Sequence, residues 1–65
     1  VLTSREMDVL RLLARGNSYA QIGLQLGVSA NTVTSHVRNT YRKLEVHTAA
    51  AAVMRAVELR LLGHG

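Results

Sequence analysis

The sequence contains no cysteine. That excludes a disulfide framework and thiolate metal sites, and it is compatible with a reducing compartment. Aromatic side chains are nearly absent: Tyr19 and Tyr41 are the only two. Any core must therefore be built from Leu, Val, Ile and Ala. Two dispersed rings also make no stacking platform for single-stranded nucleic acid. No apolar run approaches the roughly 20 residues that span a bilayer. No basic start followed by an apolar block marks a signal peptide. Repeats and period-two strand patterns are missing too. The most informative absence is negative charge in the middle of the chain. Nothing from Val9 to Leu44 is acidic, while Arg11, Arg15, Arg38, Arg42 and Lys43 lie in that interval.

What is present fits one small domain. The chain has 65 residues, 48% of them hydrophobic. A chain of this size buries only about 60% of the surface its unfolded form exposes, so its stability is marginal. The net charge is +4 and the sequence pI is near 10.8. A positive central surface commonly meets phosphate; a merely solvated basic face is the alternative. The chain starts with Val and has almost no flanking tail, so the expectation is a piece of a longer protein.

Four helical patterns follow one another. The first runs from about Ser4 to Arg15. Thr3 caps it, and Glu6 three residues on completes a capping box. Val9, Leu10, Leu13 and Ala14 fall on one side, and Gly16 closes the helix. The second runs from about Tyr19 to Leu26, with Ser18 and Gln21 as another capping box and Ile22 and Leu26 facing inward. Gly23 sits in mid-helix, which predicts a close backbone approach, and Gly27 ends the helix. The third runs from about Ala30 to Leu44 behind Ser29. Val33, Val37 or His36, Thr40 and Leu44 form its buried stripe. Thr34, Ser35, Arg38, Tyr41 and Arg42 are left on the outer faces. The fourth runs from about Ala49 to Leu62 behind Thr48. Ala52, Val53, Ala56 and Leu59 can face the core. Ala50, Met54, Val57 and Leu61 make a second apolar stripe, which predicts a self-association face. His64 and Gly65 read as a frayed end. The expected fold is all-α: a compact four-helix domain whose helices two and three form a helix-turn-helix.

Catalysis finds no support in the residues. His36, His47 and His64 lack metal-ligand spacing. Ser29 and Ser35 have no base and orienting acid arranged with them. No glycine-rich loop cradles a phosphate. The expectation is a protein that is not an enzyme and needs no cofactor and no metal.

Gly23, Gly27, Val28 and Val33, with Ile22 and Leu26 beside them, meet the physical specification of a DNA-binding helix-turn-helix. The first helix needs a small residue at the crossing, the turn needs tolerance of positive φ, and apolar residues lock the angle. The second helix can then enter the major groove.

Leu2-Thr3-Ser4-Arg5-Glu6, Val9-Leu10, Gly16, Ile22, Leu26-Gly27-Val28-Ser29, Thr32-Val33, His36, Asn39 and Lys43-Leu44 together resemble the LuxR-type (GerE-like) DNA-binding domain. The resemblance covers residues 2 to 62. It implies the C-terminal output domain of a bacterial transcription regulator, whose N-terminal receiver or ligand-sensing domain controls access to DNA. It implies a cytoplasmic, nucleoid-associated protein bound to double-stranded DNA. A homodimer through the fourth helix is expected, with RNA polymerase a candidate further partner. Carried onto this sequence, Thr34, Ser35 and Arg38 face base edges. Ser18, Tyr19, Asn31, Thr32, Arg42 and Lys43 are the candidate phosphate contacts.

Three positions depart from the family pattern. Thr34 stands where the family often has Lys, which leaves Arg38 as the best candidate for a bidentate guanine contact. Glu45 stands where Gly is usual, just past helix three, and predicts a strained positive φ there. Arg60 replaces a frequent Gly and predicts a straighter, longer fourth helix. Two other readings remain. One is a related helix-turn-helix attached to a recombinase or sigma factor. The other is a helical protein–protein interaction module that uses helix four and never touches DNA.

Overall fold

Each helix starts at a side-chain hydroxyl. In the computed structural model, which describes residues 2–62, Thr3, Ser18, Ser29 and Thr48 each accept a hydrogen bond from the backbone N–H three residues on. These caps satisfy donors that the first turn would otherwise leave orphaned. At Thr3 and Ser18 the box is reciprocal. Glu6 Oε1 accepts from the Thr3 N–H at 2.9 Å and Gln21 Oε1 from the Ser18 N–H at 2.7 Å. The resulting elements are α1 (Ser4–Ala14), α2 (Tyr19–Leu26), α3 (Ala30–Leu44) and α4 (Ala49–Glu58). The expected end at residues 64 and 65 lies outside the described residues.

The helices also end alike. A residue with positive φ comes after each one: Gly16 at 90°, Gly27 at 72°, Glu45 at 59° and Arg60 at 61°. The next residue then donates back to an orphan carbonyl of the last turn. Asn17 donates to Leu12, Val28 to Gly23, Val46 to Tyr41 and Leu61 to Ala56. This closing motif turns the residue after the helix back toward its own last turn. The predicted strain at Glu45 is present. The predicted extension of helix four is not: α4 stops at Glu58, and Arg60 adopts the left-handed conformation that the family's glycine would take without strain. The reason lies in Leu61 and Leu62, which this turn brings onto the core. Burying even part of two leucines outweighs a left-handed penalty of about 1–2 kcal/mol.

Two further assignments on the inner faces change. Ala14 is exposed, because the helix ends there and the chain turns away. Leu59 is also largely exposed, since the α4 contacts are made by Ala52 and Ala56, seven and three residues earlier. On α3 the stripe runs through Val37, and His36 is only half-buried.

α1 and α3 pack on each other, and both α2 and α4 pack against that pair. Among the described residues α2 and α4 do not touch. The core therefore has two parts. One is centred on Val9, Ile22, Val33 and Val37, where α1, α2 and the first half of α3 meet. The other is centred on Leu10, Leu44, Ala52 and Ala56, where α1, the end of α3 and α4 meet. Tyr41 packs against both. Its expected place is the outer face, but it lies four residues after Val37 and three before Leu44, beside the buried stripe.

Candidate nucleic-acid interface

The angle between α2 and α3 is fixed by a glycine without room for a side chain. A Cβ on Gly23 would lie 2.7 Å from the Val28 carbonyl oxygen, well inside van der Waals contact. The close neighbour is the backbone of the turn and the start of α3, rather than the body of a crossing helix. The Val28 N–H donates to the Gly23 carbonyl at 2.9 Å, which draws the turn onto α2, and the bare Cα of Gly23 leaves the room that the Val28 carbonyl then occupies. Ile22 and Val33 are fully buried on either side.

A polar lock ties the same C-terminal end of α2 to α1. Asn17 donates through Nδ2 to the Leu12 carbonyl at 2.9 Å and accepts from Gln25 Nε2 at 2.9 Å. Both functions of one amide are used to join the end of α1 to the last turns of α2. Sequence reading does not single out Asn17 or Gln25. Their bonds reach back five residues and forward eight, spacings that no local pattern marks.

With α3 held this way, one face is presented outward. Asn31, Ser35, Arg38 and Arg42 are exposed and Thr34 is half-buried. They form a stripe over about 17 Å of helix, at 1.5 Å per residue. The first half is polar and uncharged. The Thr34 hydroxyl donates to the Ala30 carbonyl at 3.0 Å and the Ser35 hydroxyl to the Asn31 carbonyl at 3.3 Å. Each donor is thereby used within the helix, and the oxygen lone pairs remain available. The second half is cationic. Arg38 has no ion-pair partner among the described residues, whereas Arg42 Nη2 donates to Asn39 Oδ1 at 2.6 Å.

The remaining candidates are placed differently. Ser18 and Thr32 lie at helix starts with their hydroxyls already engaged, Ser18 as a cap and Thr32 with Ser29 at 3.0 Å. Tyr19 is half-buried against the first core cluster, where Tyr41 also packs. Burial pushes the Tyr41 phenol above its ordinary pKa, and the adjacent Tyr19 adds to the shift. Lys43 is turned toward the start of α1: Nζ donates to Glu6 Oε1 at 2.7 Å. Glu6 itself is 3% exposed. Burial alone would raise its pKa, but the Lys43 ammonium and the Thr3 N–H outweigh burial and hold it below the ordinary carboxylate value. A pair separated by 37 residues leaves no periodic trace in sequence.

On α4, Ala50 and Met54 are exposed and Val57 is half-buried. Leu61 has left the helix and packs on the second core cluster. The apolar stripe is therefore shorter than the helical pattern predicts. Among the described residues no helix is long and apolar enough to cross a membrane.

Known proteins resemble this arrangement along most of its length. Residues 1–56 match the family described as bacterial regulatory proteins, luxR family. A nitrate/nitrite response regulator homolog of Haemophilus influenzae is 53% identical over 53 residues, which are 82% of this chain and 26% of that protein. The nitrate/nitrite response regulator NarP of Escherichia coli is 47% identical over 60 residues, 92% of this chain and 28% of that protein. The chain thus spans little more than a quarter of these relatives. The solved transcription factor GerE superposes with a TM-score of 0.90 at 37% identity, covering 95% of this chain and 92% of that one. The response regulator ChrA of a heme-sensing two-component system superposes at 0.92 with 35% identity, but only 31% of its chain is covered.

Proposed function

The chain belongs to the luxR family of bacterial regulatory proteins, DNA-binding transcription regulators, and we propose that it reads double-stranded DNA by laying α3 in the major groove. The observation that carries this reading is the outer stripe of α3. It is an exposed, acid-free helical face with a neutral hydrogen-bonding half and a cationic half, on a helix whose angle is locked at Gly23. Thr34 and Ser35 offer acceptors to base edges. Arg38, without an ion-pair partner among the described residues, is suited to the bidentate guanine contact. Asn31 and Arg42 flank this reading zone and serve the backbone, while Ser18, Tyr19 and Thr32 approach phosphate through the exposed helix starts.

The domain acts as the output part of a longer cytoplasmic regulator on the nucleoid. It binds as a homodimer through the exposed Ala50–Met54–Val57 face of α4, on two half-sites, where RNA polymerase can be met. Met54 supports this: it is 68% exposed on an otherwise alanine-rich face. A module that used this face to bind another protein without DNA would leave the α3 stripe idle.

The test is a titration of duplex selected from a randomised pool, measured at several salt concentrations. Arg38→Ala is expected to lose about 1–3 kcal/mol and to relax one base position. Binding by Arg38→Ala as tight and as selective as wild type would sink the proposal. Met54→Glu is expected to leave the fold intact and weaken binding to paired half-sites more than to one half-site. Equal effects on both would remove α4 from the dimer.

A further inference from the structure

We infer that Lys43 acts on DNA binding through Glu6 and not through a phosphate: it is a positioning residue that fixes the basic end of α3 against the start of α1. The inference rests on the DNA-reading role of α3 proposed above. Lys43 belongs by composition to the run Arg38, Arg42, Lys43, and each of these cations is a natural candidate for the phosphate backbone. The geometry separates them. Arg38 and Arg42 are four residues apart on the outer stripe. Lys43 is one residue, about 100° of helix, further round, and its ammonium is 2.7 Å from Glu6 Oε1.

The surroundings make this pair hard to open. The Glu6 side chain is only 4% exposed, against 36% for Lys43. The same Oε1 accepts the Thr3 N–H at 2.9 Å. If Lys43 swung out to a phosphate, a buried carboxylate would lose its counter-charge, which is costly. The gain would be one contact in a screened, solvated setting, which is small. The exchange is uphill. Lys43 also adjoins Leu44, which is buried in the cluster that joins α1, α3 and α4. Holding Lys43 to Glu6 therefore holds the last turn of α3, and with it the direction in which Arg38 and Arg42 project.

The assignment is tested with the 65-residue chain, on a duplex selected from a randomised pool by the wild type and on a scrambled duplex of equal length. Affinity is measured against salt at a temperature where circular dichroism shows each variant folded. Lys43→Met is expected to leave the slope of log affinity against log salt unchanged. Lys43→Met and Glu6→Gln should each lower the ratio of selected to scrambled binding, and the double variant should lower it no further. Lys43→Arg should restore the ratio. The inference is overturned if Lys43→Met flattens the slope by about 0.9, the signature of one lost phosphate contact. It is overturned as well if Glu6→Gln, by freeing Lys43, steepens the slope and tightens both duplexes, or if neither single variant moves the ratio. Should Lys43→Met fail to fold, Glu6→Gln decides alone, since its amide oxygen can still accept the Thr3 N–H. A wild-type chain that shows no salt-dependent binding to either duplex removes the DNA-reading role itself. A wild type that binds normally beside a flattened Lys43→Met slope removes only the assignment of Lys43.

Discussion

The half of the molecule that contains the helix-turn-helix and the half that contains α4 close their helices with the same hydrogen-bond motif but with different residues. Around the turn, α1 and α2 close on Gly16 and Gly27; toward α4, the far end of α3 and α4 itself close on Glu45 and Arg60. A residue with a Cβ in that conformation costs about 1–2 kcal/mol. The two halves also differ in what fills their cores. The first buries Val9, Ile22, Val33 and Val37, whereas the second buries Leu10 and Leu44 with two alanines. The part that holds the turn and the start of the reading helix is thus locally unstrained and built from larger aliphatic groups, while the far end of α3 shares the strain of the α4 part. The α4 part combines local strain with small contacts. The comparison teaches that the angle between α2 and α3 is held independently of α4, which touches only α1 and α3 among the described residues. Local opening is expected to start at α4, and amide hydrogen exchange should find α4 less protected than α2 and α3.

Gly23→Val should have the largest effect, because it attacks the half that has no slack. The new Cβ would meet the backbone oxygen of Val28 at 2.7 Å, and backbone cannot rotate aside as a side chain can. Strain of this kind costs about 1–3 kcal/mol, with mid-helix β-branching added. Denaturant titration is expected to show that loss, accompanied by loss of duplex binding. Retention of both would mean that the turn is as compliant as the α4 half.

Lys43→Met comes next, and it probes the seam where the two halves meet. It leaves the Glu6 carboxylate buried without its counter-charge. Because Lys43 is partly solvated, the loss should be about 1–2 kcal/mol, below that of a fully buried pair. The wild-type contribution should also depend on pH. The folded pKa of Glu6 is lowered, so its stabilisation is fully present above the ordinary unfolded value of about 4.3. It is lost as pH falls through the lower folded value. Melting curves of Glu6→Gln should therefore show less acid sensitivity than wild type in that window; an identical dependence would remove the pair from the account.

The smallest changes should be gains in the strained half. Glu45→Gly relieves the φ of 59° and removes a carboxylate from the negative end of α3. It should stabilise by about 1 kcal/mol, or about 4–8 °C in melting temperature for a domain of this size. Arg60→Gly relieves the same backbone strain but removes a cation that suits the end of α4. Its gain should be smaller. Scanning calorimetry that found Arg60→Gly equal or superior would assign the effect to backbone alone, and no gain in either would refute the strain.

Much of this is legible in the chain because the determining interactions are local. A hydroxyl three residues ahead of a free N–H is a cap in any context, so Thr3, Ser18, Ser29 and Thr48 mark four helix starts. The 3.6-residue period places Val33, Val37, Thr40 and Leu44 on one face and Arg38 and Arg42 on the other. The end of α4 is not legible. Arg60 is an ordinary helical residue by propensity, and only the prospect of burying Leu61 and Leu62 makes the chain turn there. Helical periodicity accordingly misplaces Leu61 in a surface stripe.

The order of side chains, with its acid-free interval and two turn glycines, determined by itself the four helices, the turn between α2 and α3 and the face that α3 shows. Those features depend on contacts within a few residues, which the sequence states directly. Only the tertiary structure decided which of the cations on α3 is paired with a carboxylate among the described residues. Arg38 and Lys43 are alike in charge and separated by five positions. What distinguishes them is Glu6, 37 residues from Lys43, which α1 carries to the far end of α3 only when the chain is folded.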